Sequence, residues 1–375
     1  MQVLRKSACR IIFRLIRLKT AVFALLFIAI IVGLPLPPIG ILFIGTLTMP
    51  LVAHSRYQPP FYLFNGHLQT IVPSLWRAVP DVRYQRERVE TDDGDFLDLD
   101  WSRRTDRRTD ALGIVSHGLE GDASRPYVRG MVRALNRAGM DALAWNYRSC
   151  SGEMNRLLRS YHLGDTDDLD FVVRHALSKL RYRRVYLTGF SAGGNVTLKY
   201  LGENPARVPR EVQRAAVFSV PTDLKASSHH IARPENRIYL RRFLKTLREK
   251  MRQKAALLPG QVDINGLEEL ADFPQFDARF TAPMHGFKSA EEYYEHASSG
   301  RYLDGIRIPT LLVNAENDPF LPPACFPRDA ALRSEFVFLE TPQAGGHVGF
   351  AEGSPDGEYY SERRAVEFLT AKVPA

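Results

Sequence analysis

Hydrophobic residues in this chain fall into short blocks separated by polar, turn-forming clusters. Six runs of four to six residues bounded by turn residues read as buried strands: Ala111–Ser116, Asp141–Trp145, Val185–Thr188, Ala215–Val220, Thr310–Asn314 and Phe336–Leu339. Helical spacing marks Pro126–Ala138, Asp167–Leu180, Gly193–Leu201, Pro323–Leu332 and Ser361–Ala371. Short buried strands alternating with helices predict an α/β fold with a mostly parallel, doubly wound sheet. Ahead of it, Arg86–Thr91 and Phe96–Trp101 flank Asp93-Gly94, a strong turn signal, so an N-terminal antiparallel hairpin leads into the sheet.

The alternation stops between about residues 222 and 302. This interval is helical and partly basic, and Leu240, Phe243, Leu244, Leu247, Met251 and Leu258 recur on one side of a helix. It reads as a helical cap inserted over one edge of the sheet. A solvated amphipathic helix lying on the body is the alternative.

No charged side chain occurs from Thr20 to Ala53, and Ala21–Val32 is almost wholly aliphatic and aromatic. A spanning helix needs roughly 20 apolar residues, so residues 1–57 read as a basic segment followed by a membrane anchor. Residues 58–375 then form the folded body. Pro35, Pro37 and Pro38 leave two topologies open, a single kinked span or a re-entrant hairpin. The basic N-terminus is expected on the cytoplasmic side in both. A cleaved signal peptide fits less well, because the apolar stretch exceeds an h-region of about 7–15 residues.

Charge sharpens this division. The chain of 375 residues has 50 Lys and Arg against 42 Asp and Glu, a formal +8. Six of those cations, Arg5, Lys6, Arg10, Arg14, Arg17 and Lys19, precede Thr20, leaving 44 basic against 42 acidic residues for the remainder. A nearly balanced body offers no general field for nucleic acid, whereas the N-terminal cluster suits membrane lipids. Cys9, Cys150 and Cys325 are too few and scattered for a disulfide framework. His229, His230 and His285 lack metal-site spacing, and no phosphate-binding glycine loop occurs, so neither metal nor cofactor is implied.

The sharpest motif is Gly189-Phe190-Ser191-Ala192-Gly193, between a predicted strand and a predicted helix. That context makes a nucleophile elbow, with glycines two residues either side of Ser191 relieving a tight turn. A serine hydroxyl needs a base, and in such folds the acid and then the histidine follow along the chain. Asp318 follows the strand Thr310–Asn314, with Glu316 as its nearby competitor, and His347 follows the last strand. Backbone amides of Ala192 and Leu119 are the expected oxyanion donors, with His117 and Gly118 shaping the second loop.

These residues bring out a resemblance. The chain looks like an α/β-hydrolase of the YheT-like branch, which includes membrane-anchored lipases and esterases. The likeness spans roughly Phe64 to Phe368. It rests on Asn65-Gly66-His67-Leu68-Gln69-Thr70, His117-Gly118-Leu119-Glu120-Gly121 and Asn146-Tyr147-Arg148-Ser149-Cys150-Ser151-Gly152-Glu153. It continues through Gly189–Gly194, Phe276-Asp277, Thr281-Ala282-Pro283, Asn317-Asp318-Pro319 and Gly346-His347. Arg148-Ser149-Cys150 departs slightly from the Arg-Gly-Cys expected there. The resemblance implies Ser191, Asp318 and His347 as a catalytic triad and ester substrates, often with lipid-like acyl chains.

Two other readings use the same scaffold. One is an acyltransferase using the same Ser191: His162 and Asp167 fit a His-x-x-x-x-Asp pattern associated with acyltransferases, in which His162 would act as base toward an acceptor hydroxyl, although Asp165, Thr166 and Asp167 also read as helix-capping and first-turn residues. A non-catalytic lipid-binding protein is the other, and a complete triad argues against it. Cys150 has no evident activating base and reads as structural.

Overall fold

Nine strands make one sheet in the order β1-β9-β8-β7-β6-β4-β5-β3-β2. They are β1 (Leu51–Val52), β2 (Gln85–Glu90), β3 (Phe96–Ser102), β4 (Ala111–Ser116), β5 (Asp141–Asn146), β6 (Arg184–Phe190), β7 (Val212–Phe218), β8 (Thr310–Val313) and β9 (Val337–Glu340). The longer helices are α1 (Gly66–Trp76), α2 (Pro126–Arg137), α3 (Asp167–Ser178), α4 (Ala192–Glu203), α5 (Leu224–Ile231), α6 (Arg237–Leu257), α7 (Ala290–Ala297), α8 (Arg328–Arg333) and α9 (Tyr360–Thr370). The computed structural model describes residues 51–52, 55–104, 108–179, 181–353 and 357–371. Apart from residues 51–52 and 55–57, the basic segment and anchor expected over residues 1–57 lie outside them, Cys9 included. Among the described residues no helix is long and apolar enough to cross a membrane.

All neighbours from β1 to β5 run parallel, while β3 pairs antiparallel with both β5 and β2. Alternation along each strand builds two cores. Leu112, Ile114, Leu143, Trp145, Val185 and Leu187 face α3 and α4 on one side. Ala111, Val115, Ala142, Ala144 and Phe190 face α2 and α9 on the other. The small residues on this second face let α2 come close. A Cβ on Gly113 would stand 2.6 Å from a methyl of Leu135. Edge strand β2 is instead charged, with Arg86 opposite Asp100 and Arg88 opposite Asp98.

Several predicted boundaries move, for identifiable reasons. The strand expected at Ala215–Val220 ends at Phe218, because Ser219 adopts φ +54 and Val220 N–H turns to Asn314 Oδ1. The helix expected at Pro323–Leu332 splits into a 3-10 turn and α8 around Pro327. Helix α1 has no charge and contains Pro73, so its pattern hides it, although Asn65 caps it through Leu68 N–H at 2.9 Å. Between β7 and β8 every regular element among the described residues is helical. The inward residues of α6 pack with Phe276, Phe280 and Phe320.

Candidate active site

Loops at the carboxyl ends of β4, β6, β8 and β9 converge, as ligand-binding loops do in open parallel sheets. β6 runs through Phe190 and α4 starts at Ala192, so Ser191 forms the turn itself, at φ +53 and ψ −118. A side chain at positive φ is strained and persists only where its surroundings impose it. Here Ser191 N–H is fixed on Phe218 O at 2.9 Å. The flanking glycines permit the turn. A Cβ on Gly189 would lie 2.5 Å from Gly193 O, and one on Gly193 would lie 2.5 Å from His117 O and closer still to Ser116 O.

Ser191 Oγ lies 2.9 Å from His347 Nε2. His347 Nδ1 in turn lies 2.9 Å from Asp318 Oδ2 and 3.1 Å from Oδ1. The Asp318 side chain is fully buried and also accepts Phe320 N–H at 2.9 Å. A buried carboxylate at Nδ1 selects the tautomer that leaves the Nε2 lone pair facing Ser191. The Phe320 ring sits 4.1 Å from the imidazole and limits its rotation. Glu316, the competing acid, points outward and pairs with Arg328 at 3.0 Å.

On the β4 loop, Gly118 N–H is taken by Tyr127 OH at 2.9 Å. Leu119 N–H and Ala192 N–H have no acceptor among the described residues, and both residues line the cavity at Ser191. His117 is a strut. It is fully buried, Nδ1 lies 2.8 Å from Gly118 O, and Nε2 accepts Tyr147 N–H at 3.2 Å. Burial pushes its pKa down to about 4, which keeps it neutral.

Glu120, at φ +54, continues this loop and is held by three neighbours. Its N–H donates to Tyr161 OH at 3.0 Å, and its C=O accepts from Arg125 at 3.1 Å. Its carboxylate accepts from Tyr161 OH at 2.7 Å and from Lys250 Nζ, on α6, at 2.8 Å. Burial alone would lower the Lys250 pKa, but Cys150 and Glu120 beside it hold it above its ordinary value. Cys150 Sγ lies 3.1 Å from Lys250 Nζ, so the thiol has an amine neighbour that sequence could not reveal. Burial nevertheless pushes the thiol up to about 11, which keeps it protonated and structural. Cys325, also buried, is pushed up to about 12 for the same reason.

Helix α1 braces both the Asp318 and His347 loops, a role that sequence reasoning left unassigned. Gln69 accepts Gly345 N–H at 2.7 Å and Asn317 Nδ2–H at 2.9 Å, and donates to Leu63 O at 2.6 Å. Thr70 Oγ1 accepts His347 N–H at 2.8 Å and donates to Gly66 O at 2.6 Å. The helix packs so closely that a Cβ on Gly349 would collide with Gln69 O and one on Gly66 with Asn317 O. The Asn65–Thr70 motif was the available signal.

Two cavities meet at Ser191 and His347. The first runs beneath the helical insertion between Ile231, Phe243, Leu247, Met251, Phe276 and Phe280, with about 1070 Å³ of space including its mouth. Asp277, in a π-helical turn on its wall, accepts Thr281 OH at 2.6 Å and Tyr294 OH at 2.7 Å. Burial pushes this carboxyl up to about 6. The second cavity opens between α1 and the start of α6, past Ile71, Leu75, Ile238 and Arg242.

His162 lines the first cavity, but Nδ1 accepts Gly164 N–H at 3.1 Å and its ring packs on His285, Phe287 and Tyr293. Burial lowers its pKa. Asp167 points to solvent and pairs with Arg207 at 2.9 Å, so the two residues of the His-x-x-x-x-Asp pattern do not act together. Asp165, read as a capping residue, is instead buried against Arg159 at 2.8 Å, and burial pushes it up to about 7.

The model of the alpha/beta hydrolase fold family matches residues 114–354. YheT of Escherichia coli (strain K12), which is named as an esterase, is 33% identical over 325 residues, covering 86% of this chain and 95% of that protein. Phospholipase ABHD3 of Mus musculus is 30% identical over 330 residues, covering 86% and 80% respectively. Among solved structures, the Pyrococcus furiosus esterase PF2001 superposes with a TM-score of 0.51 at 18% identity, over 77% of this chain and 90% of that one. At that identity it speaks for the fold alone.

Proposed function

The chain belongs to the alpha/beta hydrolase fold family, in its YheT-like branch, and on that premise we propose that it is a membrane-anchored serine hydrolase of carboxylic esters. The observation that carries this reading is the hydrogen-bonded line from Ser191 through His347 to buried Asp318, at the meeting point of two cavities.

In the proposed reaction Ser191 Oγ attacks the ester carbonyl while His347 Nε2 takes its proton. Asp318 holds the imidazole and stabilises its cation. The oxyanion is received by the amides of Leu119 and Ala192, the latter on the first turn of α4, where N–H groups lack helical acceptors. His347 returns the proton to the departing alkoxide, leaving an acyl group on Ser191. Water activated by His347 then releases the acid. The apolar cavity under the insertion suits the acyl chain of a lipid-like ester, and residues 222–302 act as its cap. Esterase and phospholipase names among the relatives support an ester or lipid substrate. Residues 1–57 carry the anchor in this reading.

Ser191→Ala is the test, with short and long p-nitrophenyl esters as substrates. Hydrolysis falls to the uncatalysed background in both series. Turnover equal to that of the unsubstituted protein contradicts the assignment.

A further inference from the structure

We propose that the surface formed by the Phe61–Phe64 loop, the outer side of α1 and the first turns of α6 docks on an anionic lipid surface, placing the mouth of the second cavity against lipid. Six of the nine strongly exposed large hydrophobic residues among the described positions lie here: Phe61, Tyr62, Phe64, Leu75, Trp76 and Ile238. Scattered single exposures need no explanation, but a contiguous group does.

Local sequence explains why this group faces outward. Helix α1 (GHLQTIVPSLW) has no charged residue, and with Phe64 its apolar positions recur at 68, 71, 72, 75 and 76. Leu68 and Val72 pack inward on Leu63, Ala351 and Tyr359. That leaves Phe64 78%, Leu75 61% and Trp76 67% exposed. Tyr62 and Trp76 line one shallow depression. His67 ties α1 to α6, with Nδ1 at 3.0 Å from Tyr239 OH and the two rings stacked. Leu75 and Ile238 therefore sit together on the wall of the second cavity, which reaches Ser191.

Charge selects the occupant. The first turns of α6 expose Arg237, Arg241, Arg242 and Lys245, and Glu249 is the first acid in that helix. None of the four forms an ion pair among the described residues. Aromatic and aliphatic groups beside unpaired cations are the composition of a surface that lies in the headgroup layer. A second copy meeting this face symmetrically would oppose the same cations to one another, which disfavours that occupant. Entry of a lipid ester from the bilayer toward Ser191 rests on the function proposed above, whereas docking itself does not.

Tryptophan fluorescence of the full chain tests this directly. The chain has three tryptophans, and Trp101 and Trp145 are both 1% exposed, so a lipid-borne quencher reaches only Trp76. The protein is reconstituted in phosphatidylcholine vesicles containing about a quarter phosphatidylglycerol, with plain or brominated acyl chains. Brominated lipid lowers the emission, Trp76→Phe removes that decrease, and Arg237→Glu with Arg241→Glu weakens it. Equal emission from plain and brominated vesicles overturns the proposal. Quenching by aqueous acrylamide would then place Trp76 in water, and protection from it would place Trp76 under protein. As a separate arm, Phe61→Ser with Trp76→Ser lowers hydrolysis of a vesicle-embedded ester about tenfold and leaves a soluble short ester unchanged. Loss on both esters contradicts the entry route. Absence of all hydrolysis in the unsubstituted protein overturns the catalytic reading and leaves the fluorescence result standing.

Discussion

Replacing Gln69 by Leu removes the centre of the brace that α1 provides for the Asp318 and His347 loops. The amide makes three hydrogen bonds, to Leu63 O, Gly345 N–H and Asn317 Nδ2–H, and Gln69 is 2% exposed. A typical internal hydrogen bond contributes about 1 kcal/mol net, and a buried group left unpaired costs about 1–3 kcal/mol. With Gly345 and Leu63 both buried, the loss comes to about 3 kcal/mol. For a body of this size that lowers the melting temperature by about 6 °C, taking about 2 °C per kcal/mol. Leu occupies similar space, so little of the loss comes from a cavity. Because the His347 loop relaxes while the cavity walls stay in place, kcat for a p-nitrophenyl ester falls about 10- to 100-fold and KM moves by less than about threefold. Thr70→Val, which removes the acceptor of His347 N–H in a nearly isosteric way, costs about 1–2 kcal/mol and lowers kcat less. Steady-state kinetics beside thermal melts read both effects. A Gln69→Leu protein that melts lower yet keeps its kcat refutes the idea that this helix positions His347.

Three further outcomes follow from the same geometry. Asp318→Asn loses the buried anion at His347 Nδ1 and lowers kcat by about 10⁴-fold, as read from p-nitrophenolate release. Lys250→Met leaves the Glu120 carboxylate without its cation and lowers kcat several-fold. Adding Glu120→Gln, which is neutral and keeps an acceptor for Tyr161 OH, restores most of it, and the two sets of kinetics compared decide the point. Asp277 is held by burial at about 6 against an ordinary value of 3.8, so between those values the folded protein binds the extra proton. Its contribution to stability is therefore greatest below the lower value and is lost as pH rises toward about 6. In urea titrations the stability of the unsubstituted protein relative to Asp277→Asn falls by about 3 kcal/mol across that window.

The legible parts of this protein were those with a period or a rigid motif. The apolar run Ala111–Ser116 survives unchanged as β4, because a strand buried on both faces must be apolar and short. The Ser191 elbow was readable because only glycine tolerates the approaches at positions 189 and 193. Asp318 and His347 were readable by their places after β8 and β9, which chain order and sheet polarity bring to one edge. What escaped depends on partners distant in sequence. Gln69 meets Gly345 across 276 positions and Lys250 meets Cys150 across 100, and no local pattern encodes either meeting. Asp165 looked like a first-turn cap, but a nearby arginine drew it into the interior instead. The outward side of α1 was invisible for a different reason. Its apolar spacing resembles a core-facing stripe, and only its place in the fold shows part of that stripe to be exposed.

In the proposed reaction Ser191 is the group that carries the acyl intermediate. Incubation with a fluorophosphonate probe, proteolysis and mass mapping of the adduct tests it most directly. One stoichiometric label is expected on the peptide containing Ser191, blocked by prior exposure to an ester substrate and absent from Ser191→Ala. Label on another residue, or none on a protein that hydrolyses esters, would contradict it.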